Sequence, residues 1–470
     1  MAPRVLGRLI ARWSSRRPAP DAASPWRDLL DALAGDACPA CRRAGSAEER
    51  FRFAFLSESY TDPGVVADLS ASRGFCPEHT RLLLRELEAS WVLPGVYRTV
   101  VEAVLERWTR RPGEPPAGRC PICASRAGAV ESWLRAFLLA LEDRVVQRAY
   151  EGSAGLCVTH ARAALALARG DAAKRIAEVL AGRLERRPGT ADFAFPLAGP
   201  DPDAPVRAVL RSRLAGISAR LAPCEEHRPL REGLAARLAV DACPVCLGGG
   251  LGERRALAWL AARSCDRLAE LATDGIRLCA RHLRDVASDD PPAGARLLEL
   301  ERTRVLGELA WLAERLGERR RARREGLAIF ARAPACFVCG AATELAERER
   351  ALLRAALRDR RLAAQYAGSH GVCLAHAGAI PDETVRRGTA ARLALIHWEL
   401  EEVCRKSAWP ARFEAPRSEG DAWIRAPALL DGRVYLGAPA TRLGLNAASQ
   451  AAAASCAPTE NATTAPTERS

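Results

Sequence analysis

The chain has few aromatic residues and almost no lysine. Phe, Trp and Tyr make up 5% of its 470 residues. Because sheet cores favour aromatic and β-branched side chains, and alanine, leucine and arginine dominate here, the composition predicts an all-α fold. Lys174 and Lys406 are the only lysines among 70 basic residues. The formal charge of +13 therefore depends on arginine, and a solvated helix face is the preferred interpretation over a nucleic-acid surface.

Long apolar runs and catalytic motifs are also missing from the sequence. No apolar stretch reaches the roughly 18 residues that a membrane-spanning helix needs, so we predict no transmembrane segment. The sequence contains no G-x-S-x-G, phosphate-binding G-x-x-x-x-G-K-[ST] or H-E-x-x-H motif. No secretory signal is visible. We therefore expect a cytoplasmic protein, and a binding role is favoured over an enzymatic one, which the sequence leaves open.

Cysteine and histidine, in contrast, recur in a fixed pattern. Four times a Cys-x-x-Cys pair is followed, after 32 to 34 residues, by Cys-x-x-His. Three thiolates and one imidazole are the donors that a tetrahedral zinc ion prefers. The spacing predicts four zinc ions per chain, held by Cys38/Cys41 with Cys76/His79, Cys120/Cys123 with Cys157/His160, Cys243/Cys246 with Cys279/His282, and Cys336/Cys339 with Cys373/His376.

Each half of the pattern has its own local geometry. Pro39, Pro121 and Pro244 follow the first cysteine of three Cys-x-x-Cys pairs and predict a tight turn. Residues three apart lie on one face of a helix, so each Cys-x-x-His is expected in the first turn of a helix, where the dipole also favours thiolate. Each zinc would then join a turn to the start of a helix about 35 residues downstream.

Other uses of these cysteines fit less well. Haem attachment requires histidine directly after Cys-x-x-Cys, and no copy has one. Thioredoxin-like redox chemistry expects a βαβ setting, and disulfides expect an oxidising compartment. Four complete Cys3His shells leave no open coordination position, which catalytic zinc would need. The pattern therefore favours structural zinc.

Two further residue pairs compete for these assignments. Cys224 and His227 form a fifth Cys-x-x-His and provide an alternative to Cys279/His282 at the third site. His370 lies three residues before Cys373 and provides an alternative to His376. The regularity of the repeat favours the assignments given above.

The repeats indicate that a two-site unit is duplicated. Asp36–Cys41 resembles Asp241–Cys246, and Tyr150–Cys157 resembles Tyr366–Cys373, so the first quartet resembles the third and the second resembles the fourth. Pro188–Pro205 contains five prolines and two glycines and is typical of a linker. A ligand substitution in one unit is then expected to affect the other little.

The predicted organisation has six parts. They are a basic leader (1–24), a first helical zinc unit (25–187), a linker with a short helix (188–225), a second helical zinc unit (226–406), a C-terminal segment (407–446) and a disordered Ala/Thr/Ser/Pro-rich tail (447–470). Four tryptophans at apolar positions of the helical runs are expected in the core: Trp133, Trp259, Trp311 and Trp398.

The fourth quartet resembles a bacterial family that is classified only as a domain of unknown function. The residues that carry this resemblance are Cys336-Phe337-Val338-Cys339 and, further on, Gly371-Val372-Cys373-Leu374-Ala375-His376. Such family members carry one two-site unit, and this chain would carry two. The segment from Trp423 to Gly432 is similar to a tryptophan-containing segment that follows the last site in the family, although Pro427 is expected to interrupt a helix there. The resemblance implies helices and metal ligands, and no activity.

Three functions follow from these observations. The preferred one is a zinc-bound helical scaffold that binds another protein. The first alternative is nucleic-acid binding through arginine-rich helices, for which Arg319–Arg324 is the densest basic cluster. The second alternative is a redox-sensitive or metal-responsive switch, in which thiolate oxidation releases zinc.

Overall fold

The computed structural model describes residues 26–86, 88–186, 230–240, 242–261, 277–289, 291–318, 320–331, 335–411 and 413–433. Within these ranges every regular element is a helix, which confirms the all-α prediction. The basic leader, the linker, the pair Cys224 and His227, and the C-terminal tail lie outside the described residues. Among the helices described, none combines the length and apolar character that a membrane span requires.

The described residues of the first half form nine α-helices. They are α1 (Arg27–Leu33), α2 (Pro39–Ser57), α3 (Pro63–Ser72), α4 (Pro77–Leu83), α5 (Ala89–Arg110), α6 (Pro121–Ala140), α7 (Arg144–Gly152), α8 (Val158–Leu167) and α9 (Asp171–Arg186). A short 3-10 helix, Ser59–Thr61, joins α2 to α3.

The described residues of the second half repeat most of this order. They form α10 (Leu230–Leu238), α11 (Pro244–Ala261), α12 (Ala280–Asp289), α13 (Pro291–Leu316), α14 (Arg320–Ala331), α15 (Phe337–Ala356), α16 (Arg360–Gly368), α17 (Leu374–Ala377), α18 (Glu383–Ser407) and α19 (Ala422–Leu430). Two 3-10 helices, Trp409–Ala411 and Ser418–Asp421, precede α19.

Helices that carry ligand motifs begin at the first cysteine of the motif. Cys38 and Cys157, for example, are the N-caps of α2 and α8, and their carbonyls accept the first hydrogen bonds of these helices. Pro39 occupies the first helical position, where its missing N–H costs nothing. The prediction for Cys-x-x-His is confirmed. The tight turn predicted for Cys-x-x-Cys is wrong, because proline here starts a helix.

Most helices of the two halves match in order. In order, α1, α2 and α4 correspond to α10, α11 and α12. α5 corresponds to α13, and α6 to α9 correspond in order to α15 to α18. α14 lies between α13 and α15. Tyr150 and Tyr366, at equivalent positions of α7 and α16, are both completely buried. Gly155 and Gly371 follow them with φ of 61° and 75°, and glycine adopts this left-handed turn without strain.

Each half packs one long helix against a helix of the other half. α5 of the first half packs against α18 of the second, and α13, the counterpart of α5, packs against α9, the counterpart of α18. Within each half, α2 packs on α6 and α11 packs on α15. This arrangement resembles a dimer in which each copy supplies one long helix to the other.

Two hydrophobic cores result, and each draws on both halves. The first core combines α1 and α7 to α9 with α12 to α14. The second core combines α3 to α5 with α10 and α16 to α19. The division into two units therefore remains a prediction, while the packing makes each half part of both cores.

Polar contacts join the halves at each core. Arg162 of α8 donates hydrogen bonds to the Phe330 carbonyl at 2.5 Å and to Glu308 Oε2 at 2.6 Å. At the second core, the Trp108 indole N–H donates to the Arg386 carbonyl at 3.2 Å. Because Arg162 is buried, losing its carboxylate partner would leave an uncompensated charge inside the protein.

The structure corrects two further predictions. Trp133 is buried, and Trp259 and Trp311 pack against the first core, as predicted, but Trp398 is 55% exposed. Trp398 lies on a face of α18 that is turned to solvent, so its core assignment is wrong. Pro427 lies inside α19 and does not interrupt it, because the residues that follow it are anchored in the second core.

Candidate metal centres

The sixteen predicted ligands form four Cys3His groups, but with a different pairing from the predicted one. In each half, the first Cys-x-x-Cys lies beside the second Cys-x-x-His. The first Cys-x-x-His lies beside the second Cys-x-x-Cys. The outer centres are Cys38/Cys41/Cys157/His160 and Cys243/Cys246/Cys373/His376; the inner centres are Cys76/His79/Cys120/Cys123 and Cys279/His282/Cys336/Cys339. The predicted pairing of each Cys-x-x-Cys with the next Cys-x-x-His is therefore wrong.

The packing of α2 on α6 explains this nested order. The start of α2 shares the first core with the end of α6, whereas Phe55 at the end of α2 shares the second core with Ile122 at the start of α6. The two helices thus run antiparallel and place their Cys-x-x-Cys motifs at opposite ends. Each motif is completed by the Cys-x-x-His that lies at its own end.

Donor distances in the outer centre of the first half match a tetrahedral ion. His160 Nδ1 lies 3.5, 3.1 and 3.2 Å from the sulfurs of Cys38, Cys41 and Cys157, and Cys41 Sγ lies 3.6 Å from Cys157 Sγ. Zinc–sulfur and zinc–nitrogen bond lengths imply about 3.5 Å between sulfur and nitrogen and about 3.8 Å between sulfurs. The donors therefore fit a zinc ion.

The other three centres have the same dimensions. Sulfur-to-Nδ1 distances lie between 3.1 and 3.6 Å, and the closest sulfurs lie 3.7 to 4.0 Å apart. A disulfide would bring two sulfurs to about 2.05 Å. All thirteen cysteines with described side chains are free thiols, which argues against the disulfide interpretation for the described residues.

A glutamate supports the histidine of each inner centre. Glu48 Oε2 lies 3.6 Å from His79 Nε2, and Glu253 Oε1 lies 3.3 Å from His282 Nε2. A carboxylate on this nitrogen orients the ring so that Nδ1 faces the metal. Sequence reasoning missed both glutamates, although each occupies the seventh position after the second cysteine of a Cys-x-x-Cys motif, Cys41 or Cys246.

Inner and outer centres differ in burial. All three cysteines of each outer centre are buried, and their histidines are partly exposed. In the inner centres the histidines are buried, while Cys76, Cys123, Cys279 and Cys336 are partly exposed and Cys339 is exposed. Solvent therefore reaches thiolates at the inner centres and imidazoles at the outer ones.

Electrostatics at the centres favour a bound cation. In the first outer centre the hydrogen bond with Cys157 lowers the pKa of Cys38 and raises the pKa of Cys41, because three adjacent thiols cannot all ionise together. A divalent cation would remove this conflict by deprotonating every coordinating thiol. The positive ends of two helix dipoles at each centre also favour thiolate.

Gly432, beyond the end of α19, covers the second outer centre. A Cβ atom at this position would lie 2.9 Å from Cys246 Sγ and 2.9 Å from Cys243 Cβ. The close approach requires glycine. The described residues show no corresponding contact at the first outer centre.

The remaining candidate ligands do not join these groups. His370 lies outside the Cys3His group that contains His376, and the predicted competition from Cys224 and His227 falls outside the described residues. His397 Nδ1 lies 3.9 Å from a carboxylate oxygen of Glu401 on the same helix.

The densest basic cluster lies on a helix surface. Arg319 is outside the described residues, and α14 begins at Arg320. Arg321 is exposed and its Nε donates to Glu325 Oε1 at 3.1 Å. This part of the cluster is thus partly neutralised by an ion pair on its own helix.

Comparisons with protein-family models, curated proteins and solved structures gave no match. The resemblance to the bacterial family therefore stays a prediction.

Proposed function

We propose that the four centres bind zinc and that zinc has a structural role. The donor set carries the metal assignment, since three thiolates and one imidazole select zinc over magnesium or calcium, which prefer oxygen. The distances between donors fit the bond lengths of zinc. Four protein ligands at each centre fill a tetrahedral shell, so the metal stabilises the fold.

The proposed structural role is supported by the position of each centre, which joins two segments of the chain. Each centre holds the N-termini of two helices that are distant in sequence, as with Cys38 of α2 and Cys157 of α8. For small zinc modules, such a site contributes on the order of 10 kcal/mol of apparent binding free energy to folding at neutral pH. The free thiols favour a reducing compartment, which supports a cytoplasmic location.

We propose that the helical scaffold binds another protein. Supporting this, large apolar side chains are exposed on two helices that pack together across the halves: Trp91 of α5 is 68% exposed, and Leu395 and Trp398 of α18 are each 55% exposed. Leu395 and Trp398 are three residues apart and therefore adjoin on one face. Exposed aromatic residues are enriched at protein interfaces.

Affinity purification tests this function with a matched pair of variants. The double substitution Leu395→Ser and Trp398→Ser should abolish recovery of a partner that co-purifies stoichiometrically with the wild type, at unchanged zinc content and helicity. Leu139→Ser, which alters a 66% exposed side chain on α6, should leave recovery intact. Equal recovery with all three chains would contradict the assignment of the surface.

A specific observation favours the redox alternative. Cys339, a ligand of the second inner centre, is exposed, and accessible thiolates are oxidised first. A metal-responsive switch predicts that mild peroxide releases one zinc per chain much faster than the other three. Retention of all four ions under this treatment would exclude the switch.

The nucleic-acid alternative has its best support on α15. Arg350 and Arg354 of α15, and Arg358 just beyond its end, are four residues apart and line a groove of about 370 Å³ beside Ala379 and Ile380. Glu347 also lines this groove and forms an ion pair with Arg350. If this groove follows a phosphate backbone, affinity should fall steeply with salt. Absence of binding to single- and double-stranded nucleic acid at low ionic strength would exclude it.

A further inference from the structure

A separate cavity lies where the two halves meet. Its volume is about 130 Å³, which exceeds the roughly 15 Å³ needed by one water molecule. The residues that line it are Arg73, Val104, Arg107, Trp108, Arg111, Glu114, Pro115, Ala117 and Leu374. Leu374 comes from α17 of the second half, so the cavity is complete only when the halves are packed together.

Three arginines are among the residues that line this cavity. Arg107 and Arg111 are four residues apart on one face at the end of α5, and Arg73 follows α3. Arg107 donates a hydrogen bond to the Ser70 carbonyl, and Arg73 donates one to the Glu114 carbonyl. These bonds hold both side chains in place and use only part of their five donors each.

The backbone at Arg73 is itself unusual. With φ of 62°, it is the only residue other than glycine with positive φ among the described residues. An L-residue in this conformation is strained by its Cβ atom, and glycine would avoid this strain. An arginine kept at a position that suits glycine points to a need for its side chain.

Charge at the cavity is not balanced. Arg111 forms an ion pair with Glu114 at 3.6 Å, but no carboxylate of the described residues forms one with Arg73 or Arg107. Burial, followed by the nearby charge of Arg107, lowers the pKa of Arg73. One glutamate against three arginines leaves an excess of two positive charges.

The loop that closes the cavity is fixed by a close approach between the halves. Gly113 has φ of 86°, and a Cβ atom there would lie 3.0 Å from the Gly378 carbonyl oxygen. Val104, Trp108, Pro115 and Leu374 supply apolar walls beside the arginines. The cavity thus combines a small volume, surplus positive charge and a fixed shape.

We propose that this cavity binds a phosphate group, as the dianion of inorganic phosphate or of a phosphate monoester. Planar guanidinium groups form paired hydrogen bonds with phosphate oxygens, and a dianion matches the excess of two charges. No residue that lines the cavity belongs to a Cys3His group, although Leu374 directly follows Cys373. The proposal does not depend on the proposed scaffold function.

Calorimetric titration of the zinc-loaded full chain tests the site. Inorganic phosphate is added at constant ionic strength, with chloride as the reference anion. Arg73→Gly removes one guanidinium and relieves the backbone strain, so this variant should fold and bind phosphate roughly tenfold more weakly. Arg148→Gln, at an exposed arginine of α7 that lines neither this cavity nor the groove on α15, should bind like the wild type.

A phosphoserine peptide distinguishes the two sources of the ligand. Tighter binding of the peptide than of inorganic phosphate would assign the site to a phosphorylated partner, and equal or weaker binding would assign it to free phosphate. The proposal would be overturned if phosphate produced no more binding than chloride. It would also be overturned if folded Arg73→Gly bound phosphate as tightly as the wild type.

Discussion

The outer and inner centres use the same four donors in opposite surroundings. Outer centres bury their cysteines and leave the histidine partly exposed, whereas inner centres bury the histidine and hold it with a glutamate. Because oxidants and chelators act on accessible thiolates, outer centres should retain metal longest and inner centres should exchange it. Identical ligand motifs thus predict the same metal, and we expect their surroundings to determine how firmly each centre would hold it.

Each core contains one centre of each kind. The first core includes ligands of the outer centre of the first half and packs against Cys336 of the inner centre of the second half. The second core includes Cys243 of the other outer centre together with Cys120 of the other inner centre. Losing either kind of centre should therefore weaken helices from both halves.

The largest effect is expected from removing an outer ligand. Cys157→Ser should release one zinc and lower the apparent stability by several kcal/mol, since a complete site contributes on the order of 10 kcal/mol. Cys339→Ser at an inner centre should destabilise the chain less, because that thiol is exposed. Thermal unfolding with metal analysis of each variant measures both effects.

Cys404→Ser is the control, since this thiol is not in a metal-binding group. A larger loss of stability from Cys339→Ser than from Cys157→Ser would remove the distinction between the two kinds of centre.

An intermediate effect is expected from the supporting glutamates. Glu48→Gln or Glu253→Gln should weaken zinc binding at the inner centre concerned about 10- to 100-fold. Competition with a chromophoric chelator measures the affinity of each site. Glu131→Gln, at an exposed glutamate of α6, should change nothing, and an equal loss at inner and outer centres would contradict the assigned role.

Acid should act on the same glutamates. Burial alone would raise the pKa of Glu48, but the neighbouring His79 ring and the charge of Arg126, whose Nη1 lies 3.1 Å from Glu48 Oε2, outweigh it and lower the pKa. A carboxyl with a lowered pKa in the folded state stabilises the fold above its unfolded value, about 4.3, and loses this contribution as the pH falls through the folded value. Stability measured from pH 6 to pH 3 should therefore fall more steeply in the wild type than in Glu48→Gln.

A smaller effect separates the two outer centres. Gly432→Ala should lower stability by about 1–3 kcal/mol and weaken zinc at the second outer centre, because the added methyl group overlaps Cys246 Sγ. Gly307→Ala, in an exposed part of α13 with open space around it, should instead stabilise the chain by about 0.5–1 kcal/mol. Thermal unfolding of both variants checks the opposite signs.

Local features were predictable from the sequence, and long-range ones were not. The fold class and the sixteen ligands follow from composition and from short motifs, whose geometry is set within one helical turn. The pairing of the motifs depends on the antiparallel packing of α2 and α6. The nearly constant spacing between each Cys-x-x-Cys and the next Cys-x-x-His, as from Cys38 to His79, does not reveal this packing. The reciprocal exchange of α5 and α13 likewise involves contacts between the halves, which one repeat cannot reveal.

Functional surroundings were harder still to predict. Glu48 and Glu253 look like ordinary surface charges on an amphipathic helix until His79 and His282 are placed beside them. The exposure of Trp398 depends on which face of α18 contacts α5, and its helical position alone favours the core.

The zinc content of a double variant tests the nested arrangement most directly. Cys38 and Cys157 belong to one outer centre, so Cys38→Ser with Cys157→Ser should leave three zinc ions per chain by elemental mass spectrometry. If each Cys-x-x-Cys instead bound metal with the next Cys-x-x-His, the same variant would lose two ions. A wild type with four zinc ions and a double variant with two would contradict the nested centres.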